Sequence, residues 1–155
     1  MNQAWDALAS ARDALTQLVN TALLAGRRGE YGRADRIVTV LHRHGLDGTL
    51  ALLYGMCDVV VHTNARAAGL VIEPSPVPVP IAVRSEWLRL DGTPVEQRDP
   101  AHAWCGEFLV ARAAVDLTRC RELVDHPPPG GLLHAMFQLT VIAARTVNMI
   151  EGQPR

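Results

Sequence analysis

Apolar residues recur at three- and four-residue intervals along the first quarter of the chain, which is the spacing of one helical face. The first stripe predicts a helix over residues 3–25, and Gly26 and Gly29 supply its end. The second stripe predicts a helix over 30–44, which Gly45 stops. We therefore expect two amphipathic helices joined by a short polar turn.

Two further stretches are apolar around the whole helical circumference rather than on one stripe. One predicts a helix over 48–66 with Asp47 as its N-cap, because an aspartate accepts the free amides of a first turn. The other predicts a helix over 130–150. Helices of this kind belong in the middle of a bundle, so we expect these two to be central.

The middle of the chain interrupts this helical pattern. Four prolines within residues 73–80 remove backbone donors and favour an extended chain. Asp91 and Gly92 fit a two-residue turn, which predicts a small β-hairpin over 82–97. The pattern thus divides a single helical domain, residues 1–155, into a first helical half (1–70), a proline-rich linker with the hairpin (71–99) and a second helical half (100–155).

The second half opens on a strong helix start. Asp99 can cap the first turn while Pro100 occupies a position whose amide would have no helical partner. Asp116 predicts a separate short helix to about residue 125, although one unbroken helix fits the pattern nearly as well. The fold class is therefore an all-α bundle of five or six helices.

The two helical halves echo each other. Their patterns pair Arg33 with Arg119 and Gly48 with Gly130, so that each half reads as three helices of which the last is nearly uncharged. Either a three-helix unit was duplicated, or two similar amphipathic triplets arose separately. The pairing sets Thr140 opposite Asp58, so only the first half places a charge in the expected core.

Composition narrows the partners and the compartment. The formal net charge is -1, which gives no overall field that would gather nucleic acid or an anionic membrane. Three cysteines without metal-ligand spacing favour buried free thiols in a reducing cytosol, and the first residues do not resemble a secretory signal. The most apolar stretch, residues 49–61, is too short to span a bilayer. We expect a cytoplasmic protein, of bacterial type, without a membrane partner.

Asp58 is the first candidate for chemistry, because a carboxylate in a dry core is costly unless it is paired. His62 follows one turn later, and His134 lies on the other central helix. These three residues are the candidate ligand site. The structural alternative, which we favour, pairs Asp58 with Arg112 or Arg145 as a packing residue.

Catalytic and metal motifs are missing from the sequence. There is no nucleophile elbow and no phosphate-binding glycine loop. Cys105 and His102 stand three residues apart, but a thiol among aromatic stripe residues is more often packing. The histidines and cysteines lack the spacing of a metal site. We therefore predict no catalytic residue, no bound metal and no cofactor.

Residues 27–45 hold the only concentrated positive charge, five arginines against Glu30 and Asp35. The arginines are Arg27, Arg28, Arg33, Arg36 and Arg43. Two helices joined by a short turn loosely resemble a helix-turn-helix, but the second helix lacks the side chains that usually read bases. We favour contact with a partner's carboxylates, and expect nucleic-acid binding to be unlikely.

The sequence leads to three functional hypotheses. The first is a non-enzymatic protein–protein interaction or regulatory module that acts as a homodimer. Two all-apolar helices have more apolar surface than the other helices of so short a chain can cover, so a second subunit should cover the rest. The second is a small-ligand or metal-binding helical protein with a polar site at Asp58 and His62. The third is a nucleic-acid-binding regulator that uses residues 27–45.

Overall fold

A computed structural model of the protein describes residues 3–67, 69, 99–152 and 154. All regular structure in these residues is helical, which confirms the all-α prediction. The predicted hairpin over 82–97 lies outside the described residues. The six helices of the described part are α1 (Gln3–Arg27), α2 (Tyr31–Arg43), α3 (Gly45–Ala67), α4 (Pro100–Ala113), α5 (Leu117–Asp125) and α6 (Leu132–Glu151).

Two aspartates start helices in the second half as the sequence predicts. The carboxylate of Asp99 accepts a hydrogen bond from the amide of Ala101 at 2.9 Å, and Pro100 occupies the first turn of α4. The carboxylate of Asp116 accepts one from the amide of Arg119 at 3.0 Å, so α5 is a separate helix. Each cap satisfies an amide that has no partner within its own helix.

The prediction that Asp47 caps α3 is wrong. Gly45 adopts a φ of 77°, and α3 begins there, directly after the one-residue turn at His44. Asp47 therefore lies inside the first turn. Gly48, which the sequence marks as the helix opening, instead lies where α2 and α3 meet, since a Cβ at this position would collide with the carbonyl oxygen of Leu41.

The core is built around α3 and α6. Each of these helices contributes ten buried residues, whereas α2 contributes three and α5 two. On one side of the core Phe108 stacks on Trp104 and on Tyr54, with ring centroids 5.3 Å and 6.0 Å apart. The indole of Trp104 donates to the carbonyl of Leu123 at 3.0 Å, which joins α4 to α5.

The carboxyl ends of α1, α3 and α6 lie together. Arg27 donates to the side-chain oxygen of Asn148 at 3.0 Å and to the carbonyl of Gly152 at 3.1 Å. Arg66 pairs with Glu151 at 3.0 Å. These three helices therefore converge at their carboxyl ends, and α2 connects α1 to α3 in the order of the chain.

The turn from α1 to α2 recurs between α4 and α5. Both helix boundaries repeat after 86 residues, because α1 ends at Arg27 and α4 at Ala113, while α2 begins at Tyr31 and α5 at Leu117. Each turn closes through two backbone hydrogen bonds of the Schellman pattern. They run from Gly29 to Gly26 and Glu30 to Ala25 in the first turn, and from Val115 to Arg112 and Asp116 to Ala111 in the second.

The residue at the centre of each turn has a left-handed backbone. In the first turn it is Gly29, with a φ of 74°, and in the second it is Val115, with a φ of 54°. Glycine adopts this conformation without strain, whereas a β-branched residue there is a true outlier. The second turn thus keeps the geometry of the first in spite of an unfavourable residue.

Candidate functional site

A groove follows α1 and α3 and reaches the end of α6. It has two adjoining compartments, of about 690 Å³ and about 680 Å³, which share Leu23, Asp58 and Val59. The first compartment lies at the carboxyl ends of the three helices, beside Arg27. The second runs back along α1 as far as Ala11. Volumes in this range are typical of small-molecule sites.

The groove is open because one stripe of α3 carries small or polar side chains. Ala51, Gly55 and Asp58 recur at three- and four-residue steps, and all three are only partly buried. At Gly55 the two helices approach so closely that a Cβ would lie 2.9 Å from the Cγ1 of Val19. Ala51 and Gly55 thus line the floor of the groove, and Ala51 also packs against the core.

The expectation that Asp58 lies in a dry core is corrected by this geometry. Its side chain is 46% exposed, and both of its oxygens accept hydrogen bonds from Arg112 at 3.2 Å. The Arg112 guanidinium also lies over the ring of Tyr54, 4.4 Å from the centroid. Arg145, the other suggested partner, is exposed on α6. Asp58 is thus a neutralised charge at the edge of the groove.

The structure brings together two of the three predicted ligand residues. His62 lies on the rim of the first compartment, one turn after Asp58. His134 lies at the other end of α6, where its Nε2 is 3.6 Å from the carboxylate of Asp99. Val147, one of the two α6 residues that line the groove, is about 20 Å further along the helix from His134.

Arg27 is the groove residue that sequence reasoning placed elsewhere. It was grouped with the arginines of residues 27–45 as a partner contact, yet its side chain lines the first compartment. Its hydrogen bonds go to neutral oxygens of Asn148 and Gly152, and among the described residues no carboxylate pairs with it. A positive charge without an opposite charge therefore faces the groove.

The remaining arginines of residues 27–45, including Arg28, are exposed, and three of them lie on one face of α2. Arg33, Arg36 and Arg43 project from one side of the helix with Val40 between them, opposite the buried Ala34. Arg33 pairs with Glu30 at 3.4 Å. Within the described part of the chain, Arg36 and Arg43 form no ion pair. We call these four residues, Arg33, Arg36, Val40 and Arg43, the α2 face.

The corresponding helix of the second half neutralises its arginines. Arg119 pairs with Glu107 at 3.0 Å and with Glu122 at 3.2 Å. Arg121 pairs with Asp125 at 3.4 Å. Thus α2 presents unpaired positive charge where α5 presents ion pairs.

Exposed apolar residues occupy equivalent positions in the two halves. Leu24 and Tyr31 flank the first turn and form the first apolar patch. Val110, Val115 and Leu117 surround the second turn and form the second apolar patch. Their exposed fractions lie between 38% and 51%. The signal was present in the sequence, since Leu24 pairs with Val110 and Tyr31 with Leu117 once Arg33 is set against Arg119.

The thiols are held in an unreactive form. Cys57, Cys105 and Cys120 are all free and buried. Burial raises the pKa of Cys105 to about 12, and it raises the pKa of Cys57 as well. The Cys105 thiol donates to the carbonyl of Ala135 at 3.4 Å. No three histidine, cysteine or carboxylate side chains of the described ranges converge on a possible metal position.

None of the helices in the described ranges has both the length and the apolarity needed to cross a bilayer. Comparisons with models of protein families, with curated proteins and with solved structures find no match. The groove, the α2 face and the two apolar patches are therefore the candidate sites of the described residues.

Proposed function

We propose that the protein is a non-enzymatic interaction module that self-associates and also binds an acidic protein partner. The observation that carries this proposal is the recurrence of exposed apolar residues at equivalent positions of the two halves. Exposed apolar residues are common when scattered singly, but a repeated cluster marks an interaction site.

We infer that the two halves are copies of one three-helix unit. The matching helix boundaries and the matching hydrogen bonds of the two turns support this. So does the packing between halves, because Gly26 of α1 lies against Thr140 of α6 just as Arg112 of α4 lies against Asp58 of α3. The hairpin over 82–97 remains part of the proposed fold, within the segment that joins the copies.

The two apolar patches differ in the charge of the helix beside them, so we propose a different partner for each patch. The first apolar patch adjoins α2, whose Arg36 and Arg43 have no carboxylate partner among the described residues. A second copy would bring like charges together there, which is unfavourable. Val40 within the α2 face adds an apolar contact that phosphates would not use. The first patch and the α2 face together therefore fit an amphipathic helix with acidic residues.

The second apolar patch suits a second copy of this chain. Arg119 and Arg121 beside it are already paired, so no net charge opposes self-contact. Val115 has a left-handed backbone that is strained for a β-branched residue, whereas its counterpart Gly29 adopts the same conformation without strain. Strained residues cluster at functional sites, which supports a role for the exposed Val115 side chain in the contact. We propose that this patch forms the homodimer. The free thiols favour the reducing cytosol as its compartment.

Sedimentation velocity over roughly 1–100 µM tests the dimer, because self-association depends on protein concentration. The variant Val110→Ser/Leu117→Ser should remain a monomer where the natural chain dimerises. The matched control, Leu24→Ser/Tyr31→Ser, changes the equivalent positions of the first half and should leave the dimer intact. A natural chain that is monomeric throughout, or equal effects of both variants, would contradict the assignment.

A designed amphipathic peptide of glutamate and leucine tests the acidic partner. We expect saturable binding that Arg36→Glu/Arg43→Glu weakens at least tenfold, since charged contacts at an interface select complementary partners. Arg121→Glu on α5 is the control and should have little effect. Tighter binding of duplex DNA than of the peptide, lost with the same arginines and at raised salt, would instead support the nucleic-acid hypothesis.

A further inference from the structure

We propose that the groove between α1 and α3 binds a free alkyl carboxylate, with its hydrocarbon chain along Leu15, Val19 and Leu23 and its carboxylate at Arg27. The groove shares no residue with the two apolar patches or with the α2 face.

The shape of the groove fits an extended chain better than a compact ring. From Leu15 to Arg27 it follows α1 for about 18 Å at the helical rise of an α-helix. Apolar side chains line this path, among them Leu15, Val19, Leu23 and Val59, and the polar Arg12, Thr16, Asn20 and Asp47 line the second compartment with them. A long, narrow and mostly apolar surface favours an unbranched hydrocarbon chain.

The charges at the groove select an anionic end group. Asp58 is neutralised by Arg112, and Glu151 by Arg66, so these two carboxylates attract no cation. Arg27 donates only to neutral oxygens, although the carbonyl end of α6 offsets part of its charge. Arg27 therefore keeps part of its positive charge in the first compartment, while Arg12 and Asp47, one of each sign, line the second compartment.

A carboxylate at this end has two sources of hydrogen bonds. The Arg27 guanidinium has five N–H donors, of which Nε and one on Nη2 are used within the protein, so donors remain for a ligand. His62 lies on the rim of the same compartment. Hydrogen bonds from an arginine to a carboxylate are among the stronger ones in proteins.

Only the first half has both the small side chains and the cation that this site needs. Setting Gly48 against Gly130 places Leu133 and Phe137 at the positions of Ala51 and Gly55. The second half thus has bulky side chains where the first has small ones. Arg27 likewise has Ala113 as its counterpart, so the second half lacks the cation.

The test measures binding of dodecanoate by titration calorimetry, below its micelle concentration, with dodecanol as the neutral probe. We expect one dodecanoate per chain and at least tenfold weaker binding of dodecanol. Arg27→Gln should weaken dodecanoate binding at least tenfold, while Arg28→Gln, which changes the exposed neighbour outside the groove, should change it less than twofold. Ala51→Leu should also weaken it at least tenfold by filling the floor.

Arg27 also ties α1 to α6, so a structural effect must be separated from a lost charge. Arg27→Lys keeps the charge and loses the guanidinium bridge; it should retain binding within about fivefold if charge is what matters. Circular dichroism checks that each variant is folded. Equal affinities for dodecanoate and dodecanol, undiminished binding in folded Arg27→Gln, or binding to phosphatidylglycerol vesicles without binding of monomeric dodecanoate would each overturn the proposal.

Discussion

Two glycine-to-alanine substitutions in neighbouring helices should change stability in opposite directions. Gly32 lies in α2, where an added Cβ meets no atom within 4 Å. Gly48 lies in α3, where the same Cβ would collide with the Leu41 carbonyl oxygen and approach the Cβ of His44 to 2.9 Å. The Leu41 oxygen is a backbone atom, and His44 is the single residue that joins the two helices. Neither Leu41 nor His44 can therefore move away from the added Cβ without shifting α2 against α3.

The magnitudes follow from this contrast. Replacing an interior helical glycine by alanine stabilises by about 0.5–1 kcal/mol when nothing else changes. Gly32 is the second residue of α2, so Gly32→Ala should stabilise by the lower end of that range, about 0.5 kcal/mol. Gly48→Ala gains the same term but adds an overpacking cost of about 1–3 kcal/mol. The rigid neighbours favour the upper end of that range, so the net destabilisation should be about 2 kcal/mol, or about 4–8 °C in the melting temperature.

Urea denaturation followed by circular dichroism measures both variants against the natural chain. The slope of the unfolding free energy against urea should stay unchanged, so that the midpoint reports stability alone. Gly32→Ala should raise the midpoint and Gly48→Ala should lower it. If Gly48→Ala proves as stable as Gly32→Ala, the close approach of α2 and α3 at Leu41 is wrong, and with it the orientation given to the α2 face.

Other predictions address the helix cap, the ion pair and the thiols. The backbone hydrogen bond from Ala101, together with His134, holds the pKa of Asp99 below its ordinary value. The ionised Asp99 carboxylate therefore stabilises the fold above about pH 4, and this stabilisation is lost as the pH falls through the lowered pKa. Asp99→Ala should therefore cost about 1 kcal/mol at pH 7 in urea denaturation, and the difference from the natural chain should narrow below about pH 4. A double-mutant cycle on Asp58→Asn and Arg112→Gln should give a coupling of about 0.5–1 kcal/mol, because the pair is partly exposed. Cys105 should react with Ellman's reagent only as fast as the protein opens, since burial raises its pKa to about 12; rapid labelling of the native protein would contradict its burial.

The helices were predictable because their signals are local. A stripe of apolar residues and a following glycine are enough to mark a helix such as α1, and an aspartate before a proline marks the start of α4. The start of α3 differs from the prediction because Gly45 both follows the end of α2 and is the first residue of α3. Its positive φ starts the next helix at once, and a pattern of residue types does not reveal that.

The groove was not predictable from the same signals. Ala51 and Gly55 count as apolar in any periodicity analysis, so α3 reads as a helix that is covered on all sides. Only the packing reveals that these small residues leave one stripe open and that Asp58 lies on it. Hydrophobic patterning reports which side chains avoid water, whereas a groove depends on their volume and on the distance between helices.

The difference between the two halves is the feature that links fold and function. Where Gly26 lets α1 lie close to α6, with a Cβ position 3.9 Å from the Cγ2 of Thr140, the corresponding contact in the other half is the ion pair of Arg112 with Asp58. A long arginine side chain between two helices holds them further apart than small residues such as glycine and threonine do. The two three-helix halves thus have unequal contacts around α3 and α6, and their differences coincide with the proposed sites: Arg27, which pairs with no carboxylate among the described residues, the exposed arginines of α2 and the strained Val115. If the two halves arose by duplication, the substitutions that later made them differ are the ones that formed the proposed binding surfaces.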